Sequence, residues 1–193
     1  MKIVRSPLLV AILLLGCAGL CPAQSIDAFA GLNALTASQA VQNIPRLGGG
    51  LFPSAGANIF LGDIGIGGEV AFRGSQNNFQ GTQFRPIYYD VNLVLDPIHI
   101  NPAIVPELMV GIGAQSLRAY TGLTQCGTLS GCTTYASSNH LTAHVGVALK
   151  LYVIGHLFVR PEAHFYFIRH NFEFQTANSE RFGVSIGYTL GGS

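Results

Sequence analysis

The chain has 193 residues and a formal net charge of +1, with 10% charged and 49% hydrophobic residues and 24 glycines. Soluble domains average about 25% charged residues, and a charge this small supplies no basic field for nucleic acid. Mean hydropathy is positive, yet beyond residue 23 no apolar run reaches the roughly 20 residues of a membrane helix. A membrane protein of this composition has to cross with strands.

The first element is a leader. Lys2 and Arg5 precede the apolar run 8–15, and small residues lead to Cys21-Pro22-Ala23 before Gln24. A basic head, an apolar stretch too short to span and a small residue at the cut describe a removable secretory signal, with cleavage between Ala23 and Gln24. A lipoprotein signal is the alternative, because Leu14-Leu15-Gly16-Cys17 offers an acylable cysteine. The chain thus divides into a signal peptide, 1–23, and one domain, 24–193. Losing Lys2 and Arg5 takes the ten basic residues to eight, against nine acidic ones.

Eight segments of period two follow: 25–35, 51–61, 64–74, 84–96, 104–120, 139–153, 156–169 and 180–190. The last is the clearest. Phe182, Val184, Ile186, Tyr188 and Leu190 alternate with Arg181, Gly183, Ser185, Gly187 and Thr189. In the sixth, Leu141, Ala143, Val145, Val147, Leu149 and Leu151 oppose His140, Thr142, His144, Gly146, Ala148 and Lys150. The second is weakest, with Gly48-Gly49-Gly50 and Pro53 about its start. Gly62-Asp63 and Ile154-Gly155-His156 make tight turns, and 96–103 is a third connection on that side. The intervening segments, 36–46, 75–83, 121–138 and 170–179, are longer and polar. Short turns at one end and long loops at the other belong to an antiparallel up-and-down transmembrane β-barrel. The expected fold is therefore all-β, with eight strands, both termini periplasmic and the long loops extracellular. Cys126 and Cys132, in a Gly/Thr/Ser-rich stretch of an exported chain, read as a local disulfide.

With apolar positions facing lipid, Glu69, Arg73, Asp90, Glu107, Lys150, Arg160, Glu162 and Arg181 fall on the inward face. A charge at mid-depth on the outside would cost ~2–4 kcal/mol. Arg85 and Arg169 face outward at strand ends, where they can snorkel. Tyr89, Phe165, Phe167 and Tyr188 are candidates for interfacial belts, Trp being absent. Eight strands leave a lumen that side chains fill, and buried charges there need partners. The corner between strands six and seven places Glu162 opposite or diagonal to Lys150, and a salt-bridged plug is expected below a more basic upper chamber.

The signal, the alternation, the loop asymmetry and the final strand 182–190 resemble the small eight-stranded bacterial outer-membrane barrels, the group of OmpX and the membrane domain of OmpA. The resemblance spans the whole mature chain. It implies outer-membrane residence in a Gram-negative-type envelope, contact with lipopolysaccharide and phospholipid, and insertion by the barrel-assembly machinery. It departs at the end, where Leu190 stands in place of the usual terminal aromatic residue.

Two motifs invite catalytic readings. Gly183-Val184-Ser185-Ile186-Gly187 has the form of a hydrolase elbow, but it lies inside an alternating strand with no Asp, Glu or His after it. His140, His144 and His164 could approach one another as metal ligands, and Ser137, Ser138, His140 and Glu173 lie near the outer rim. The residues favour lumen or rim histidines bonded to polar neighbours. The expectation is a non-enzymatic, structural or surface-exposed protein without cofactor, metal or nucleic-acid partner, its lumen filled by paired charges; the residues leave the oligomeric state open, with a monomer favoured. A narrow porin-like channel and a lipid-modifying enzyme are the alternatives.

Overall fold

The computed structural model describes residues 24–37, 46–98, 102–127, 131–169 and 173–191. The leader lies outside them, and Gln24 opens the first strand. The strands are β1 (Gln24–Ala37), β2 (Leu51–Leu61), β3 (Ile64–Phe72), β4 (Asn77–Phe79), β5 (Thr82–Leu95), β6 (Ile104–Gly127), β7 (Gly131–Ile154), β8 (Leu157–Ile168) and β9 (Asn178–Gly191). Each long strand pairs antiparallel with its sequence neighbours. β1 pairs with β9, and β3 pairs directly with β5, so eight strands close into a barrel with β4 as a side hairpin. Closure leaves no edge among these eight, which satisfies the backbone between strands.

The alternation forms the wall. Ile66, Val91, Ile112, Leu141 and Ile186 are each about 60% exposed on the outside, whereas their neighbours Asp90, Asn92, Ser185 and Thr142 are buried inside. Glycines on the inward face make room for large neighbours. A Cβ on Gly183 would collide with the Asn33 carboxamide, and one on Gly67 with that of Asn58. The outer face thus keeps side chains of membrane-compatible polarity while the inner face trades glycine for packed polar groups.

The expected strands are present with ends shifted by a few residues, and two of the polar segments hold further sheet. β6 and β7 continue past the wall as a two-stranded ribbon across most of 121–138, which the sequence suggested as loop; Cys126 pairs with Cys132 in its ladder and bonds to it. Such a ribbon has water on both faces and needs no apolar alternation, so periodicity does not report it. Within 75–83, β4 turns back on β5 through Gln80 (φ 49°) and Gly81 (φ 84°), with Asn78 Oδ1 accepting from the Gly81 amide at 3.0 Å. Asn tolerates such turns because its side chain mimics a backbone acceptor.

Candidate functional site

The interior of the barrel holds the densest chemistry. Near the short-turn end, Lys150 Nζ on β7 lies 2.7 Å from Asp27 on β1, 2.9 Å from Glu107 on β6 and 3.5 Å from Asp96, just past β5. Its ammonium also sits over the Phe60 ring at 4.7 Å. One cation thereby gathers carboxylates from three walls. Burial pushes the Asp96 carboxyl up to about 6, Lys150 pulling it the other way while Glu107 and Asp27 push it further.

The pairing continues up the lumen. Glu107 also meets Arg160 at 3.4 Å; Arg160 bonds Glu162 at 2.6 Å and covers the Phe29 ring at 3.8 Å. Glu162 lies 4.0 Å from Arg181, which bonds Glu69 at 2.6 Å from the opposite side of the barrel. The result is a ladder of alternating sign, Asp27–Lys150–Glu107–Arg160–Glu162–Arg181–Glu69, with every member at most 6% exposed. Breaking a buried pair by removing one partner costs about 3–5 kcal/mol, so each rung constrains which strands lie opposite one another.

All eight charges assigned to the lumen from the sequence are buried, but their arrangement differs from the simple expectation. Glu162 stands opposite Ala148, diagonal to Lys150, and its ion pair is with Arg160. Arg160 projects between the two and takes the carboxylate, leaving Lys150 to acids from β1 and β6. Asp27 and Asp96 are further members that the sequence reading passed over. Asp27 could have been found from parity, since it alternates with Ile26 and Ala28. Asp90 lies beside the ladder, accepting from Tyr166 Oη at 2.8 Å.

Above the ladder the lumen becomes aromatic and then apolar, in place of the basic chamber expected there. His144 packs tilted against Tyr166 at 4.7 Å and edge-on against His164 at 5.4 Å, and Tyr166 packs on Tyr88 at 5.1 Å. Leu35, Leu47, Phe52, Phe84, Leu117, Ile168 and Phe174 then form a continuous buried cluster at the long-loop end. Arg73 fixes this cap. It is fully buried and lies over the Phe52 and Phe84 rings. It donates to the backbone carbonyls of Leu47 (2.6 Å), Gly48 (2.7 Å) and Gly49 (3.0 Å). Residues 47–49, leading into β2, are thus held at the mouth by a guanidinium that makes no carboxylate contact within ion-pair distance among the described residues.

The catalytic readings find little geometry. Ser185 is buried inside β9 and donates to the Arg160 carbonyl at 3.4 Å. At the rim, Ser138 Oγ and a Glu173 carboxylate oxygen both meet the same nitrogen of His140, Nε2, at 3.1 and 2.8 Å. A nucleophile–base–acid relay needs serine and acid on different ring nitrogens, so this trio is a loop tie. Burial pushes the Glu173 carboxyl up, but hydrogen bonds from Ser138 and His140 outweigh it and hold the group below its usual value. His144 and His164 meet edge to face, apart from that tie. A nearby grouping has metal-like spacing: ligand atoms of Glu69, Glu162 and His164 lie within 4.8 Å of one another. Both its carboxylates are already neutralised by Arg181 and Arg160 at 2.6 Å.

No protein-family model and no curated protein sequence matches the chain. Solved structures do. Neisserial surface protein A superposes with a TM-score of 0.59 at 12% identity, covering 88% of this chain and 97% of that one. The attachment invasion locus protein Ail of Yersinia pestis gives 0.56 at 12% identity over 88% and 100% of the two chains. The N-terminal β-barrel domain of Pseudomonas aeruginosa OprF gives 0.51 at 12% identity, over 86% and 96%. These are eight-stranded outer-membrane barrels, and this chain has their fold.

Proposed function

We propose that the chain is an integral outer-membrane protein of a Gram-negative-type bacterium, closed to solute flow, with a structural or surface-contact role exerted through its long-loop end. Its termini face the periplasm and its loops the exterior. The observation that carries this reading is the buried ladder from Lys150 to Arg181 and Glu69, topped by the Arg73-clamped apolar cap. An ion crossing this lumen would have to displace both. The apolar outer wall supports membrane residence, and the shared nitrogen at His140 weighs against a lipid-modifying hydrolase.

Planar-bilayer recording of the refolded full chain tests the closed lumen. The wild type and a Phe84→Ala variant are to show no resolved conductance steps, because the ladder below the cap remains. Steady single-channel steps from the wild type would refute the closed reading in favour of the narrow channel. Lipid A profiles from cells with and without the gene are to be identical; a mass change would assign enzymatic activity instead.

A further inference from the structure

On the outer wall near the long-loop end, Arg85 on β5 and Arg118 on β6 stand directly opposite each other in the ladder. Both are half-buried. Like charges directly opposite across two strands repel, and nothing of opposite sign balances this pair. All nine Asp and Glu residues of the chain lie among the described residues, and the ion pairs formed by them engage neither arginine. The contacts both arginines make are neutral ones. Arg85 Nη2 donates to the Gly74 carbonyl at 3.4 Å, while Arg118 donates to Tyr89 Oη at 3.5 Å and lies 5.0 Å over the Tyr135 ring. Tyr120 packs against Tyr135 at 6.1 Å beside them. Ile87 and Ser116, outward by parity, are only 7% and 6% exposed, so neighbouring side chains close over them and give the patch a floor.

The depth of the patch narrows its ligand. Arg85 is ten residues above Leu95, where β5 ends at the short-turn side. At about 3.3 Å per residue and a tilt of roughly 40°, this is about 25 Å, the height of a barrel's apolar band. Below it the wall is apolar through Tyr89, Val91, Leu93, Ile112 and Val110. Two guanidiniums and three phenols therefore sit where the acyl region of the far leaflet gives way to headgroups. Guanidinium forks match phosphate oxygens in a bidentate way, and tyrosines favour that interface.

We infer that Arg85 and Arg118 form a binding site on the outer wall for the phosphate group of an anionic lipid of the outer leaflet. The site rests on the membrane reading above. The anion bridges the two cations, relieves their repulsion and ties β5 to β6 where their ribbon and hairpin leave the bilayer.

The test measures the heat-unfolding midpoint of the full chain, by electrophoretic mobility, in phosphatidylcholine nanodiscs with and without one-tenth lipid A. The wild type is to gain several degrees with lipid A. Arg85→Gln/Arg118→Gln is to lose most of that gain, while in phosphatidylcholine alone it is at least as stable as the wild type, since the repulsion is gone. Arg85→Gln alone is to lose about half. Arg169→Gln, an exposed cation in the turn just past β8, is to keep the gain. A double variant that retains the full gain overturns the site, as does an Arg169→Gln variant that loses as much. An equal gain from millimolar inorganic phosphate overturns the lipid as its source. A chain that fails to enter phosphatidylcholine discs at all refutes the membrane reading itself, which the phosphatidylcholine arm detects separately.

Discussion

Replacing Lys150 by Met tests the ladder at its most crowded rung. The substitution keeps the length of the stem and its packing against Phe60 and Phe158, where the ammonium lies 4.7 and 5.6 Å from the rings. It strips the cation from Asp27, Glu107 and Asp96, which lie 2.7, 2.9 and 3.5 Å away. Glu107 retains Arg160 at 3.4 Å, and Asp27 retains the Thr189 hydroxyl at 2.6 Å. Asp27 then stands as a buried carboxylate held by one neutral donor. Orphaning a buried charge costs about 3–5 kcal/mol, so Lys150→Met is to lower unfolding free energy at pH 7.5 by that amount. The assay is urea unfolding of the refolded protein in detergent micelles, followed by far-ultraviolet circular dichroism. Adding Asp27→Asn is to restore most of the loss, because the uncompensated charge is gone while Glu107 keeps Arg160. A single variant within about 1 kcal/mol of wild type would refute the claim that Lys150 organises this end, 1 kcal/mol being the upper range for a solvated pair.

Other outcomes follow from the same geometry. Asp96 has a folded pKa of about 6, raised by burial against the pull of Lys150. Folding therefore favours its protonated form, a contribution complete below its unfolded value of about 4 and lost as pH rises through about 6. Asp96→Asn is accordingly to raise the urea midpoint at pH 7.5 and to match the wild type at pH 4; the reverse order would contradict the sign. Arg73→Met removes donors to the carbonyls of Leu47, Gly48 and Gly49. A hydrogen bond from a charged donor contributes about 1.5–3 kcal/mol, so proteolysis between β1 and β2 is to speed up by roughly tenfold or more while the strands remain protected. Reduction of Cys126–Cys132 is to accelerate cleavage within the β6–β7 ribbon without moving the unfolding midpoint of the barrel, since the bridge lies beyond the wall.

What the sequence makes legible is the face on which each residue lies. Parity alone puts Glu69, Asp90, Lys150 and Arg181 inside, and Val91, Leu141 and Ile186 outside, because period-two alternation is enforced by two different solvents. Parity says nothing about who meets whom across the lumen. Arg181 and Glu69 are 112 residues apart and lie on β9 and β3, which are not neighbours in the sheet. Lys150 reaches Asp27 across the barrel for the same reason, whereas the sequence suggested a partner on the adjoining strand. The apolar cap is also hard to read. Leu35, Phe52 and Phe84 are apolar on the inward face, a break in alternation that becomes intelligible only when Leu47, Phe174 and the Arg73 clamp close over them. Where water bathes both sides, as along the β6–β7 ribbon, strand pairing leaves no hydrophobic trace at all.

The central claim is an inverted polarity, with apolar side chains against lipid and charges enclosed. Its most direct test is electron paramagnetic resonance of single spin labels at Val91, Ile112, Val145 and Ile186 in lipid bilayers, each compared for collision with oxygen and with a water-soluble nickel chelate. In a chain begun at Gln24 the two native cysteines, Cys126 and Cys132, are bridged and leave these sites the only ones labelled. The account predicts oxygen-dominated relaxation at all four positions. Chelate-dominated relaxation at them would mean that the exposed apolar face looks onto water, and the barrel would not be a membrane wall.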